Sequence, residues 1–241
     1  MRKLTLAVGS SLILAAPLAQ ADIVGVGASV SYWDSDSSGT ASTGNSLVDV
    51  NNDLNMKDDG NANASIYLEH PVPVLPNVRL AYTLIQQSGQ GQLTSPYSDL
   101  IAGPVYSELD LEQLDLTLYY EVLDNWVNLD LGLTVRDFSG ELLVAQTGQP
   151  TSKTKADAVL PLGYIAARFD LPLTGVAVGL EGNFIAFDGD SMRDLNVYGQ
   201  YSISLLQLRA GYRQLAVDYE DGSDVFDVKI DGPFISAGVS F

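Results

Sequence analysis

The chain has 241 residues, a formal net charge of −18 and no cysteine. So acidic a surface excludes charge-driven binding to nucleic acid or to an anionic membrane face, and the lack of cysteine excludes disulfides and thiol chemistry. Apolar residues nevertheless make up 46% of the sequence, which is high for a soluble protein of this charge.

The N-terminus has the features of a secretory signal peptide. Arg2 and Lys3 precede an apolar run over residues 4–18, and residues 19–21 form an A-x-A cleavage site. The run is short for a helical membrane span, which needs about 20 residues. The sequence therefore predicts cleavage after Ala21 and a single domain over residues 22–241.

The segment 32–45 begins like a calcium-binding loop. Asp34, Asp36 and Gly39 fit the start of the motif that bends a chain around a hard cation. The twelfth position, where an EF-hand has a bidentate glutamate, is Asn45, and no helix-like pattern flanks the segment. We therefore interpret it as an acidic loop that is not an EF-hand.

Alternation of apolar and polar residues is the main structural signal. In residues 126–138, one face carries Val127, Leu129, Leu131, Leu133 and Val135, as expected for a β-strand. The same pattern predicts ten strands, near residues 23–34, 61–70, 77–88, 109–121, 126–138, 156–170, 175–187, 193–203, 206–219 and 226–241. Between them, long polar segments at 35–60, 89–108 and 139–155 alternate with tight turns.

This plan predicts an all-β fold, an antiparallel up-and-down transmembrane β-barrel of about ten strands. Short turns would face the periplasm, with both termini, and the longer loops would be extracellular. A soluble β-sandwich also alternates, but its strands are usually about 5–6 residues long. The longer strands here, with aromatic residues at both ends, favour the membrane barrel.

The last residues and three turns resemble known outer-membrane proteins. The alternating C-terminal segment with Val239 and Phe241 resembles the signal that the barrel-assembly machinery reads. The junctions at 68–80, 119–133 and 167–182 resemble a family of small proteobacterial outer-membrane β-barrel proteins of unassigned activity. The resemblance implies an integral protein of the Gram-negative outer membrane, in contact with lipid and lipopolysaccharide, and it implies no catalytic residues.

Charged residues on the inward-facing positions form a predicted lumen network. They are Glu69, Arg79, Asp115, Glu121, Asp130, Arg136, Arg168, Glu181, Asp194, Arg209 and Arg213. Unpaired buried charge is costly, so we expect opposite charges to pair. The result would be either a polar plug or a narrow lumen that passes or binds small solutes.

A second acidic group is predicted at the outer rim, where the first and last strands of a closed barrel are neighbours. It comprises Asp34, Asp36, Asp218, Glu220, Asp221 and Asp224. Such carboxylates bind Ca²⁺ or Mg²⁺ weakly when they converge. No other cofactor is expected.

Functional expectations follow from these features. The only histidine, His70, precedes Pro71 at a predicted periplasmic turn, which is the wrong end for chemistry on the outer leaflet. We therefore expect a monomeric, non-enzymatic outer-membrane barrel that is structural or that offers a small solute a narrow route or binding site. Two alternatives remain open, an outer-membrane lipid-modifying enzyme and a secreted calcium-binding β-sandwich.

Overall fold

The computed structural model describes residues 24–43, 46–58, 60–221 and 224–241, and the predicted signal peptide lies outside them. No helix in this part of the chain is long and apolar enough to cross a membrane. The described residues form the strands β1 (Gly25–Trp33), β2 (Asp36–Thr43), β3 (Ser46–Asp49), β4 (Met56–Asp58), β5 (Asn61–Glu69), β6 (Asn77–Leu93), β7 (Gly103–Leu123), β8 (Val127–Ala145), β9 (Ser152–Asp170), β10 (Val176–Phe187), β11 (Asp190–Ile203), β12 (Leu206–Asp221) and β13 (Asp224–Ser240).

Ten of these strands close into a barrel. From β5 to β13 each strand pairs with the next along the chain, and β1 pairs antiparallel with both β5 and β13. In the closing seam, Val30 is the register partner of Ala64 on one side and of Ala237 on the other. The predicted closed antiparallel barrel is therefore confirmed. A β-sandwich is excluded, because a sandwich leaves sheet edges unpaired.

The alternation of apolar and polar residues reverses its phase along the longest strand, β7. In the half nearer the turns, Leu114, Leu116 and Leu118 point outward and are exposed. Beyond Gln113, Leu109 and Leu111 point inward and are buried, while Asp110 and Glu112 face out. Since side chains alternate faces with a period of two, the reversal gives the loop-side half a polar outside and an apolar inside.

The predicted loops are mostly β-structure, which corrects their boundaries. Segment 35–60 contains β2, β3 and β4, while β6, β7, β8 and β9 extend well into the predicted loops 89–108 and 139–155. The strands extend because their inward apolar residues in these regions pack into one buried apolar cluster. Burying that core requires the backbone polar groups around it to be hydrogen-bonded.

The segment that resembles a calcium loop continues the barrel wall. Trp33, Ser35 and Ser37 are buried, while Asp34 and Asp36 between them are exposed. Gly39 lies on β2 at a φ of 116°, and a Cβ there would come within 2.1 Å of the Asp227 carbonyl oxygen on β13. Glycine is needed at position 39 because a side chain would prevent this close pairing of β2 with β13. The chain therefore continues here as a strand and does not form a cation-binding turn.

A short turn after β3 carries apolar residues back over the loop end of the lumen. The Asp49 carboxylate accepts hydrogen bonds from the backbone N–H of Asn52 at 2.8 Å and of Asn51 at 2.9 Å. These hydrogen bonds, Asn52 first, lower the pKa of Asp49. The turn places Val50 and Leu54 in the buried apolar cluster.

Candidate functional site in the barrel lumen

The lumen has three layers along the barrel axis. At the loop end, buried apolar side chains fill it. They come from the outer segments, as with Val48, Leu54 and Tyr97, and from the barrel wall, as with Ile85, Leu162, Met192, Leu215 and Ile230. Below them lies a layer of ion pairs, and a polar cavity occupies the turn end.

The ion-pair layer is built around two arginines and two aspartates. Arg136 makes a bidentate contact with Asp115, with both N···O distances 2.7 Å, and reaches Asp194 at 2.9 Å. Arg213 makes a second bidentate contact with Asp194, at 2.9 and 2.8 Å. The Arg213 guanidinium also lies 4.8 Å from the centre of the Trp33 ring. All four charged residues are buried, so the network is sealed from bulk water.

Strand register explains why these charges meet. Asp115 and Arg136 are direct partners between β7 and β8, so their Cβ atoms are close. Asp194 on β11 lies diagonally from Arg213 on β12, whose direct partner is Asn196. Asp194 therefore joins both arginines, one from the neighbouring strand and one from across the lumen.

A further ion pair crosses the lumen and bounds the cavity. Arg79 on β6 pairs with Glu181 on β10, and the Tyr164 hydroxyl lies 3.4 Å from Arg79. These three residues line a small internal space of about 70 Å³ on the side of the ion-pair layer. They also line a larger cavity of about 230 Å³ towards the turns.

The larger cavity has carboxylates, tyrosines and arginines in its walls. Glu69 accepts a hydrogen bond from the Tyr119 hydroxyl at 2.8 Å, and Glu121 accepts one from the Asn77 amide at 3.3 Å. At the rim, Arg168 pairs with Asp170 at 3.1 Å. The cavity is thus polar, with several of its charges held in place by neighbours.

Arg209 and Asp130, in two walls of this cavity, form no ion pair of 4.0 Å or less with any described residue. Arg209 donates its Nε–H to Gln200 at 2.7 Å and lies 4.6 Å from the centre of the Tyr198 ring. Within the described part of the chain, no carboxylate lies within 4.0 Å of Arg209, and no side chain hydrogen-bonds to the carboxylate of Asp130. Arg168, in the same cavity, attracts Asp130 only from beyond ion-pair distance, and Asp124 at the exposed turn is also in no ion pair. The cavity therefore offers a cation at Arg209 and carboxylates at Asp130 and Asp124 for direct contacts.

The predicted lumen residues all lie on inward-facing positions. In the predicted acidic rim, Asp36 lies apart from Asp218 and Glu220 along the barrel wall. Along β13, Asp36 is in register with Asp231, while Asp218 is in register with Asp227 and Glu220 with Val225. An offset of four to six residues is about 13–20 Å along a strand. The side chains of Asp221 and Asp224 lie outside the described set. No group of three acidic or metal-ligating side chains placed to hold a metal ion occurs among those described.

The remaining predicted residues lie at the turn end of the barrel. The backbone N–H and carbonyl of Phe241 both hydrogen-bond to Val26 on β1, while its side chain is exposed, as is that of Val239. The ring nitrogens of His70 lie 3.1 Å from the Pro76 carbonyl and 3.3 Å from the Val72 N–H. His70 therefore holds its own turn together.

Sequence reasoning did not include the tyrosines of the cavity among the site residues, and it missed the apolar layer that closes the loop end. Tyr119, Tyr164 and Tyr198 alternate inward, but tyrosine suits a membrane interface equally well. The apolar layer had a detectable signal, the reversal of phase at Gln113. Leu109 and Leu111 stand at odd positions, whereas the outward leucines of the same strand stand at even ones.

Comparison with known proteins shows which solved structures share this fold. No protein-family model and no curated protein sequence matches the chain. Among solved structures, the outer membrane protease OmpT from Escherichia coli is similar with a TM-score of 0.58 and 9% identity, over 90% of this chain and 97% of OmpT. The chain shares the barrel fold of this outer-membrane protease. The CymD monoaromatic hydrocarbon channel also matches, with a TM-score of 0.28 and 9% identity, over 92% of this chain and 89% of that one.

The similarity to OmpT corrects the expectation that the protein is not an enzyme. That expectation rests on the position of His70 and on a resemblance that implies no catalytic residues. A barrel of the same fold is a protease, so the fold does not exclude catalysis. At 9% identity the similarity shows the fold alone, and no catalytic residue is carried over to this chain.

Proposed function

We propose that the protein is an integral outer-membrane barrel that binds a small polar solute in its lumen from the periplasmic side. The supporting observation is the asymmetry of the lumen. The loop end is filled by buried apolar side chains, while the turn end holds a polar cavity of about 230 Å³. The proposed orientation places the short turns in the periplasm, as is usual for outer-membrane barrels.

The asymmetry favours binding over passage. A hydrated solute entering from the turns would meet the ion pair between Arg79 and Glu181, then the buried network around Arg136. Beyond that network it would have to displace apolar residues such as Leu54 and Ile85. Opening such a path would require the loop-end core to unpack, which is costly because the core is closely packed.

A single cysteine tests whether the cavity opens on one side. Ala166 lines the cavity on β9, and the chain has no cysteine to interfere. In lipid vesicles with one orientation of the barrel, a charged methanethiosulfonate reagent should label Ala166→Cys from the turn side and not from the loop side. Solutes that enter the cavity should slow this labelling.

The neighbouring residue supplies the control. Ala167 borders an apolar depression on the outer face, so Ala167→Cys should resist the same reagent in vesicles. Equal labelling of Ala166→Cys from both sides would contradict a cavity closed at the loop end, and no labelling from the turn side would contradict an open one. Steady ion conductance in a planar bilayer would also contradict closure.

A further inference from the structure

The cavity contains two charges of opposite sign on nearly opposite walls, each outside any direct ion pair among the described residues. Arg209 lies on β12 and Asp130 on β8, which are four strands apart around a ring of ten. We infer that the solute is a small zwitterion, with a carboxylate that binds Arg209 and an ammonium group that binds at Asp130. This inference rests on the proposed function and names the chemical class of the ligand.

The Arg209 side chain is suited to hold a carboxylate. Its Nε–H donates a hydrogen bond to Gln200, and its guanidinium carbon lies 4.6 Å from the centre of the Tyr198 ring. Both contacts restrict the orientation of the guanidinium. A guanidinium has five N–H donors, and those of the two terminal nitrogens remain available. Paired donors on one plane match the two oxygens of a carboxylate, which gives charge-assisted hydrogen bonds.

The opposite wall is suited to hold an ammonium group. Asp130 is the register partner of Glu121 across β7 and β8, so two like charges lie side by side, which is unfavourable. Arg168 pairs directly with Asp170 and attracts Asp130 only from beyond ion-pair distance. Glu69 stands in the same cavity, already bound to the Tyr119 hydroxyl. An ammonium group has three donors, so it can bridge these carboxylates and relieve their repulsion.

The position of the two charges also restricts the shape of the ligand. A group that binds only at one wall leaves the other charge unsatisfied, whereas a molecule charged at both ends satisfies both. Because the walls lie across the lumen, the ligand's charges should be separated by a short chain. An ω-amino acid meets this description better than a simple amine or a simple carboxylic acid.

A chain-length series tests the inference. The refolded full chain is titrated calorimetrically with ω-amino acids of two to six carbons, and with n-alkylamines and n-alkanoates of the same lengths. One amino acid should bind about tenfold or more tighter than both of its singly charged counterparts, because it makes one more charge-assisted contact than either of them. Equal affinity of the amine or the alkanoate would overturn the zwitterion.

Two substitutions separate the charged ends. Arg209→Gln should weaken the best amino acid by about tenfold or more and leave the matched amine unchanged, and Asp130→Asn should weaken the amino acid and the amine together. Arg193→Gln, which removes the same charge from an exposed outward position, should change nothing. If Ala166→Cys is labelled from the turn side and none of the three series binds, the cavity stands and the zwitterion is refuted.

Discussion

Asp194→Asn is expected to lower the free energy of unfolding by about 3–5 kcal/mol, the usual cost of removing one partner from a buried ion pair. Asp194 is the shared acceptor of Arg136 and Arg213, and it is 3% exposed. The amide keeps the shape of the side chain but carries no charge. Both arginines would then remain in the lumen with only Asp115 to balance them.

Equilibrium unfolding in urea from lipid vesicles would measure this cost, with the midpoint and slope analysed by linear extrapolation. Trp33 is a suitable probe because its ring contacts the guanidinium of Arg213. Glu141→Gln is the matched control, since Glu141 pairs with Lys153 at an exposed site, where ion pairs contribute about 0–1 kcal/mol. Similar losses for the two variants would contradict a sealed network.

Leu131→Arg is expected to destabilise the folded barrel by about 2–4 kcal/mol, the cost of arginine on the lipid face near the bilayer centre. Leu131 is the middle residue of the five apolar positions 127–135 that point outward on β8. These positions cover about 26 Å of strand at 3.3 Å per residue, which places Leu131 away from both interfaces. Refolding yield and urea unfolding in vesicles would measure the effect.

The control for Leu131→Arg is Ala166→Arg, one register row away. Ala166 faces the cavity and is the register partner of Asp130, so a new arginine there would find water and a carboxylate. Thr134 also points inward, but it is fully buried and hydrogen-bonded to Thr117 and Asn183 at 2.8 and 2.7 Å. Arginine at Thr134 would thus be overpacked. If Leu131→Arg and Ala166→Arg unfold alike, Leu131 does not face lipid.

The strands and their faces could be predicted from the sequence. A period of two is a local property of the sequence. A strand such as 126–138 alternates because one face is expected to meet lipid while the other faces the polar lumen. At the turn ends, the ten strands that the sequence predicts have limits within a few residues of those in the structure. There the short turns leave little freedom in where a strand begins, as between β11 and β12.

The loop ends were predicted less well because their stability comes from contacts distant in sequence. β2 exists as a strand because it pairs with β13, where Ser42 meets Val225, and no local signal in the polar segment 36–43 indicates this. The convergence of Asp34 with Asp218 was inferred from neighbouring strands without their register. The register decides where each residue lies along the barrel axis, and these carboxylates are separated along that axis.

The sequence by itself determined which residues face inward, because alternation assigns each side chain to a face once one face is known to be apolar. Only the tertiary structure decided which inward charges pair. Arg79 with Glu181 and Arg136 with Asp194 join strands that are four and three apart around the ring of ten. Such partners depend on closure, register and side-chain reach together. The same dependence leaves Arg209 and Asp130 without direct ion-pair partners, and it is the physical reason why the candidate site emerges only from the folded barrel.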